Sequence, residues 1–407
     1  MKKERRCQVK AQYILEWKLF THNIKNRVVF GIFIFICLFG AFVVESEFNP
    51  LRAIDVESLE AEVEDAEYFL ENEDSATNPR MTEMFLTVMA INPPLIDAIN
   101  EEDWSTVMEE EQNHYQYLVV NRYQYEGGYV DPRLYKYGEP SYIREIRQNY
   151  YDEYHAQRYQ NYTDEESKLS LSKIEERTVL QAVVRHLQGY LPTIMIIMVI
   201  LYTIDIFPKD RQHSSITQNV PLSKYKNGWA KSLVILIATT LTLLIGFIVF
   251  SILVTIQNGF GSFNLPIPIY GGTSNTFVGT SDIWVSQSIG VFLVQAIVLL
   301  YFIFILFIRL ISWMNIFVKE SFMNLLVLPL VFISSVWHRP GVAYTTTIYN
   351  YIPATYFRVG EVLTGQLNFL YLSNTITFGT GLISLALSYV FLEVLILGCL
   401  FIIRKRK

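Results

Sequence analysis

The stretch SLVILIATTLTLLIGFIVFSILVTI, residues 232–256, holds no charged side chain across 25 positions. About 20 apolar residues suffice for a helix to cross the ~30 Å hydrocarbon core of a bilayer. Five further apolar runs occupy residues 28–44, 191–207, 285–308, 321–337 and 382–403. The sequence therefore predicts an all-α polytopic membrane protein with six transmembrane helices. For each of the two shortest runs, 28–44 and 321–337, a buried helix of a soluble protein is the alternative.

Positive and negative residues are segregated along the chain. Residues 45–188 hold 31 Asp and Glu against 12 Lys and Arg, a net charge of −19, whereas Lys and Arg cluster before the first run and at the carboxyl end. Cytoplasmic loops of membrane proteins are enriched in Lys and Arg. We therefore predict a multi-pass protein of the cell membrane with both termini cytoplasmic and residues 45–188 extracellular.

The extracellular region 45–188 is predicted to be a mostly helical domain that is acidic and rich in tyrosine. It contains 14 of the 26 tyrosines. A tyrosine ring combines apolar area with a hydrogen-bonding hydroxyl, so these residues are suited to bind a peptide or a sugar chain. The alternative is that they pack the interior of a polar helical domain. The acidic charge favours a cationic peptide as the partner of a binding surface.

The remaining segments are predicted as follows. Residues 1–27 form a cytoplasmic amphipathic helix that lies on membrane lipid through residues at helical spacing, with a solvated basic tail as the alternative; the residues are Tyr13, Trp17, Phe20 and Ile24. Residues 189–407 hold the other five transmembrane helices, a cytoplasmic loop at 208–231 and outer loops at 257–284 and 338–381. The last loop is semi-apolar and is predicted to dip back into the outer leaflet as short helices, whose backbone must then be covered by protein.

Two carboxylates and one amide lie in the predicted transmembrane segments. An ionised side chain at the membrane centre costs at least ~2.5 kcal/mol unless it faces protein or water. Glu393 lies midway along the last run, and Gln295 is its candidate partner. Lining of a transport pathway and a helix–helix hydrogen bond are the two interpretations of Glu393. Asp205 is predicted at the inner interface beside Lys209 and Arg211.

No motif of a nucleotide-binding, metalloprotease, redox or hydrolase site is present in the chain, and the six histidines are scattered. The sequence therefore predicts neither a catalytic site nor a metal site. Energy for uphill movement would have to come from a partner or from an ion gradient.

The loop DRQHSSITQNVPLSKYKNGWAK, residues 210–231, resembles the loop between the second and third spans of type-2 ABC exporter permeases. That family pattern reads acidic-Arg, Gly-Thr, then Pro-x-Ser-Arg and a later Lys. In this chain Gln212 and His213 stand in place of Gly-Thr. The resemblance extends to the six-span plan, the amphipathic first helix and the long last outer loop, but not to the acidic domain. It implies that the ATPase-coupling residues are Asp210, Arg211, Pro221, Ser223, Lys224 and Lys231.

The resemblance implies a transport permease that is not itself an enzyme. Two permease subunits, as a homodimer or a heterodimer, would form the pathway, and two separate ABC ATP-binding subunits would bind ATP and Mg. This chain would then hold no cofactor and bind no nucleic acid, and it would export a peptide or another amphipathic substrate from a bacterial cell. One alternative is a membrane-anchored sensor or scaffold whose acidic domain binds a ligand. A membrane enzyme acting on lipid or glycan is a third class, but it would need a cluster of His, Asp or Glu near an interface.

Overall fold

The structure, a computed structural model, describes residues 2–50, 52, 54–72, 78–124, 130–134, 141–163, 169–208, 223–271, 284–317, 321–337, 351–371 and 373–405. Most of these residues are helical. In chain order the α-helices are α1 Lys2–His22, α2 Ile24–Phe39, α3 Val56–Asn72, α4 Pro79–Asn100, α5 Trp104–Gln124, α6 Ser141–Thr163, α7 Leu171–Ile174, α8 Val179–Gln188, α9 Leu191–Thr203, α10 Lys224–Asn258, α11 Ile289–Met314, α12 Leu328–Trp337, α13 Val359–Leu363, α14 Gln366–Tyr371 and α15 Phe378–Lys405.

Four helical segments within these residues are long and apolar enough to cross a membrane, namely Ile24–Val44, Lys224–Asn258, Ile289–Met314 and Phe378–Lys405. The first is α2 extended by one π-helical turn. A fifth candidate is the pair Leu171–Gln188 and Leu191–Thr203, which is bent by 72°. The prediction of a mostly helical chain with apolar spans is therefore confirmed, with four to five candidate spans by length and composition.

Helix α11 lies at the centre of the span helices. Its buried residues run from Ile289 to Ile311, whereas α2 and α15 leave most of their apolar side chains exposed, as helices in contact with lipid do. The approach of α2 to α10 depends on Gly246, because a Cβ there would lie 2.8 Å from Cε1 of Phe33 and 2.9 Å from Sγ of Cys37. Small residues at such crossings let two helix backbones approach closely.

Helices α3 to α6 form the tyrosine-rich domain, which packs in the order α3, α4, α5, α6. Its interior is built largely of aromatic rings: Tyr115 lies 5.7 Å from Tyr159 and 5.1 Å from His155, centroid to centroid. The packing interpretation of the tyrosines is therefore correct for those that are buried, which are Tyr115, Tyr150, Tyr154, Tyr159 and Tyr162.

Charged side chains are also enclosed here: Arg158 is buried, Arg52 is half-buried, and each has an acidic partner. Arg158 contacts Glu176 at 2.8 Å, and Arg52 contacts Glu111 at 2.8 Å. Burial alone would raise the pKa of Glu176, but the Arg158 guanidinium beside it lowers that pKa below its usual range. Burial lowers the pKa of His155 to about 3, with Arg158 acting in the same direction, so this histidine is neutral.

A two-stranded antiparallel sheet, which the sequence did not predict, joins the tyrosine-rich domain to the outer loops. Strand β1 is Pro266–Tyr270 and β2 is Trp284–Ser288, with Tyr270 paired to Trp284. Trp284 donates from Nε1 to Oε2 of Glu153 at 3.0 Å. The rings that meet here come from α6, both strands and α14, and we call them the aromatic cluster: Tyr150, Tyr154, Tyr270, Trp284 and Phe369.

The semi-apolar loop before the last span forms a 3-10 helix, Pro353–Phe357, followed by α13 and α14. Almost every residue from Val359 to Leu370 is buried, so the short helices in the described part of this loop are covered by protein, while their entry into the outer leaflet stays a prediction. Gly365 adopts a φ of +72°, and a Cβ there would lie 2.1 Å from the carbonyl oxygen of Tyr270. Only glycine fits this turn, which brings α14 against β1.

Candidate functional site

The predicted coupling residues fall at the start of α10 and just before it. Asp210, Arg211 and Pro221 lie outside the described residues. Ser223 is the N-cap of α10 and accepts a hydrogen bond at Oγ from the backbone N–H of Lys226 at 3.3 Å. Lys224 in the first turn is exposed. The segment of family resemblance therefore leads directly into a capped helix.

Lys231, in the second turn of α10, is buried, with 2% of its surface exposed. Its Nζ donates to the carbonyl oxygen of Ile206 at 2.8 Å and lies 3.8 Å from Oε1 of Glu16. A buried ammonium group requires such partners, because removal from water without them is costly. Lys231 thus links three parts of the chain: α10, the end of the second apolar run and α1.

Helix α1 is held against the base of α10 by polar contacts. Gln12 donates from Nε2 to Oε1 of Glu16 at 2.8 Å and to Oδ1 of Asn227 at 3.1 Å. Asn227 and Lys231 are four residues apart and so lie on one face of α10. The sequence analysis did not identify Gln12, Glu16 or Asn227. The available signals were the position of Gln12 and Glu16 on the polar side of α1 and the position of Asn227 within the resembling loop.

The aromatic residues of α1 face the protein and not the lipid. Phe20 is buried and lies 5.1 Å from the ring of Tyr202 in α9, and Trp17 stacks on Phe20 at 6.3 Å. Tyr13 and Trp17 are half-buried against the same core. The fourth predicted residue, Ile24, opens α2 and is 78% exposed. These aromatic residues hold α1 on the span helices, and the exposed apolar residues of α1 are Ile14, Leu15 and Leu19.

Asp205 follows the end of α9 and is paired with the start of α2. Nζ of Lys25 lies 2.5 Å from its Oδ1, and Nδ2 of Asn23 donates to its Oδ2 at 2.6 Å. Lys209 and Arg211, near which the sequence placed Asp205 at the inner interface, lie outside the described residues. Within the described residues, Lys25 of the amino-terminal segment is a cationic partner of Asp205.

The last carbonyl groups of α9 and of the turn after it accept hydrogen bonds from three separate elements. Lys25 donates to Leu201, Asn324 donates to Ile204 at 2.6 Å, and Lys231 donates to Ile206 at 2.8 Å; the donors come from α2, from the 3-10 helix Ser321–Val327 and from α10. The final carbonyls of a helix have no partner within it, and cations there also interact favourably with the helix dipole. The end of α9 is therefore fixed to its neighbours.

The partner of Glu393 is Arg309, so the expectation of Gln295 is wrong. Nε of Arg309 lies 2.5 Å from Oε1 of Glu393, and its Nη2 lies 3.0 Å from Oε2. Tyr225 donates its hydroxyl to Oε2 of Glu393 at 3.0 Å. Gln295 instead accepts a hydrogen bond at Oε1 from Gln287 at 3.1 Å. Arginine is the better partner because its guanidinium is charged and donates to both carboxylate oxygens at once, whereas an amide donates to one.

Arg309 follows directly after the fourth apolar run, 285–308, yet it lies within α11 and is 1% exposed. Its guanidinium carbon also lies 4.8 Å from the ring centroid of Trp229, a cation–π distance. The available signal was that apolar residues continue after Arg309 as far as Met314, which extends the helix past the charge.

Three charged pairs, Glu16–Lys231, Lys25–Asp205 and Arg309–Glu393, lie at one end of the span helices and connect α1, α9, α10, α11 and α15. We call this end of the span helices the N-terminal face. In the ranges that the structure describes, no group of three or more His, Cys, Asp or Glu side chains could hold a metal ion. These contacts can transmit a displacement of the segment before α10 to the other span helices.

No protein-family model, no curated protein and no solved structure matches this chain.

Proposed function

We propose that the chain is the transmembrane permease subunit of an ATP-driven exporter of the type-2 ABC class, which moves a peptide or another amphipathic substrate out of a bacterial cell. The observation that carries the proposal is the base of α10. The segment that resembles a coupling loop, residues 210–231, includes the first two turns of α10, where Asn227 and Lys231 contact α1 and the end of the second apolar run. A force on that segment would therefore reach several span helices.

The six-span plan is supported by the path of residues 321–337. The seven residues of the 3-10 helix and the ten of α12 rise by roughly 29 Å together, close to the ~30 Å hydrocarbon thickness. Asn324 contacts the end of α9 at the N-terminal face, while α12 packs against the 3-10 helix Pro353–Phe357 near the tyrosine-rich domain. In the proposal, a crossing made of these two short helices is the sixth span beyond the long helices.

In this proposal two copies of the chain, or this chain and a related subunit, line the pathway, and two separate ATP-binding subunits hold ATP and Mg. The segment 208–231 and α1 face the cytoplasm and meet those subunits. The excess of Lys and Arg in the amino-terminal segment and at the carboxyl end supports this orientation. The tyrosine-rich domain then lies outside the cell, where it covers the outer loops through the aromatic cluster.

The test is partner-dependent ATP hydrolysis. A candidate ABC ATP-binding subunit is purified alone and with the chain in lipid nanodiscs. We expect the chain to stimulate hydrolysis, and Lys224→Glu to reduce that stimulation while insertion is unchanged. The matched control is Arg404→Glu, an exposed basic residue of α15 outside the coupling segment. Robust hydrolysis by the chain alone, or no stimulation of the partner, contradicts the proposal.

A membrane-anchored sensor is the second candidate, and one observation favours it. The aromatic cluster joins the tyrosine-rich domain to β1, β2 and α14, which adjoin the span helices, so a ligand bound by that domain could alter the spans. A sensor of this kind would not change ATP hydrolysis by the ATP-binding subunit. The same measurement therefore separates the two candidates.

A further inference from the structure

The first turns of α10 carry two polar faces that point in different directions. Asn227 and Lys231 face α1, as described above. Tyr225, Trp229 and Ser232 lie at i, i+4 and i+7 spacing, which places them on the other side of the helix. These three side chains contact the ion pair between Arg309 and Glu393.

The contacts of the ion pair with α10 are specific. The Tyr225 hydroxyl lies 3.0 Å from Oε2 of Glu393, and Nη1 of Arg309 lies 3.5 Å from Oγ of Ser232. The Arg309 guanidinium carbon lies 4.8 Å from the Trp229 ring and 5.7 Å from the Tyr225 ring. Tyr225 is two residues after the N-cap Ser223, so the contact lies in the first turn of α10, within the resembling segment 210–231.

Stability alone does not explain an ion pair at this position. Burying two charges costs about as much solvation as their attraction returns, and a well-packed apolar pair of similar size is often at least as stabilising. What the pair provides is geometry, because a bidentate arginine–carboxylate contact fixes both side chains in one plane. Here it fixes α11 to α15, and the Tyr225 hydroxyl adds α10 to the same contact.

We propose that Tyr225, Glu393 and Arg309 are positioning residues that transmit movement of the coupling segment from the start of α10 to the last span, α15. The inference rests on the proposed function and names the contact through which coupling reaches α15. Helix α10 lies between α1 on one side and the ion pair on the other. A displacement of its first turn therefore shifts Glu393 and α15 through the Tyr225 hydroxyl, and the ion pair carries the shift to α11.

The experiment uses the full chain in nanodiscs and four variants. Tyr225→Phe removes only the hydroxyl, Glu393→Gln removes the charge, Arg309→Glu alone breaks the pair, and Arg309→Glu with Glu393→Arg reverses it. Tyr190→Phe is the matched control, because Tyr190 is 82% exposed and lies away from the N-terminal face. Amide hydrogen exchange of the first two turns of α10 is measured without the ATP-binding subunit, and stimulated ATP hydrolysis is measured with it.

We expect exchange in those two turns to be roughly tenfold faster in Tyr225→Phe and Glu393→Gln, as fits the loss of a hydrogen bond to a charged group. Stimulation of hydrolysis falls in both variants, whereas the unfolding temperature of Tyr225→Phe stays close to that of the unaltered chain. The reversed pair recovers stimulation relative to Arg309→Glu alone, which a role in stability only would not predict.

The outcomes separate the inference from the proposed function. If the unaltered chain does not stimulate the ATP-binding subunit, the proposed function fails. If the unaltered chain does stimulate it, and Tyr225→Phe and Glu393→Gln match the unaltered chain in exchange and in hydrolysis, the inference is overturned. If Glu393→Gln does not fold, Tyr225→Phe alone decides, because it removes one hydroxyl and no charge.

Discussion

At the scale of single residues, the N-terminal face shows how buried charges determine which elements meet. Each charged side chain described there has a partner on another element: Lys231 contacts Glu16, Lys25 contacts Asp205 and Arg309 contacts Glu393. An unpaired charge would be costly at these positions, so each pair restricts which helices can be neighbours. The pairs therefore specify packing more than they add stability.

We predict that Lys231→Met destabilises the chain. The methionine fills similar volume but leaves the Ile206 carbonyl without its donor and Glu16 without the ammonium group. The loss of a buried hydrogen bond to a charged group costs ~1.5–3 kcal/mol. The measurement is the unfolding temperature in detergent, and Lys226→Met is the control because Lys226 is exposed on the same helix. Equal unfolding temperatures for the two variants would show that the Lys231 contacts contribute little.

A buried histidine makes the tyrosine-rich domain sensitive to acid. The pKa of His155 is about 3 in the folded chain, because of burial and of nearby Arg158, against an ordinary value near 6.5. The unfolded chain therefore binds more protons between these values. The contribution of His155 to the free energy of unfolding is constant above pH ~6.5. It should decrease by up to ~1.4 kcal/mol per pH unit as the pH decreases toward 3. Burial lowers the pKa of His114 and acts in the same direction, whereas burial raises the pKa of Glu111 and opposes it.

The variant His155→Phe isolates this effect, because phenylalanine keeps a ring beside Tyr115 but cannot titrate. We expect the unfolding temperature to decrease less between pH 7 and pH 5 in His155→Phe than in the unaltered chain. The control is His22→Phe, since His22 is exposed in α1. An identical decrease in all three proteins would assign the acid sensitivity to other groups.

At the scale of elements, the long helices were predictable and the short ones were less so. An uninterrupted apolar run such as 232–256 determines a helix by composition alone, and α10 contains it. Two features of the other elements could not be predicted from the sequence. The bend of 72° between α8 and α9 and the pairing of β1 with β2 both depend on contacts with residues far away in the chain. Residues 266–270 read Pro-Ile-Pro-Ile-Tyr and form a strand only because β2 lies beside them.

The crossing of α13 and α8 depends on one glycine. A Cβ on Gly360 would lie 2.4 Å from the backbone nitrogen of Gln188 and 2.5 Å from the carbonyl carbon of Leu187. Backbone atoms cannot move aside as a flexible side chain can, so we predict that Gly360→Ala destabilises the chain by ~1–3 kcal/mol. Thermal unfolding in detergent measures the loss. Gly398→Ala is the control, because nothing lies within 4 Å of a Cβ there, and a loss of equal size in the control would point to a general intolerance of alanine.

At the scale of the whole molecule, the two ends of the span helices contact different parts of the chain. Helix α1 and the charged pairs lie at the N-terminal face, while the tyrosine-rich domain, the β1–β2 sheet, α13 and α14 lie together at the other end. The clustering of charge along the sequence predicted this division, since residues 45–188 carry −19 and both termini are basic. The specific pairs were not predictable, because the partner of each charge is decided by helix packing.

The division predicts that the two ends of the spans lie on opposite sides of the cell membrane, with the tyrosine-rich domain outside. Three single-cysteine variants test it after Cys7, Cys37 and Cys399 are replaced by serine. Tyr68→Cys is in the tyrosine-rich domain, and Lys18→Cys and Arg404→Cys are near the two termini; all three side chains are exposed. A membrane-impermeant maleimide applied to intact cells should label Tyr68→Cys, and should label the other two only after the cells are permeabilised.

The positive charges near both termini favour one orientation, with the termini on one side of the membrane and the acidic domain on the other. Each labelling result is compared with this expected orientation. Labelling of Lys18→Cys and Arg404→Cys in intact cells, with protection of Tyr68→Cys, would invert the orientation and place the proposed coupling segment outside the cell, where no ATP-binding subunit could reach it. Labelling of only one terminus in intact cells would require an odd number of spans. That result would remove either the crossing by residues 321–337 or the crossing by α9, and with it the two-sided arrangement on which coupling between α10 and α15 depends.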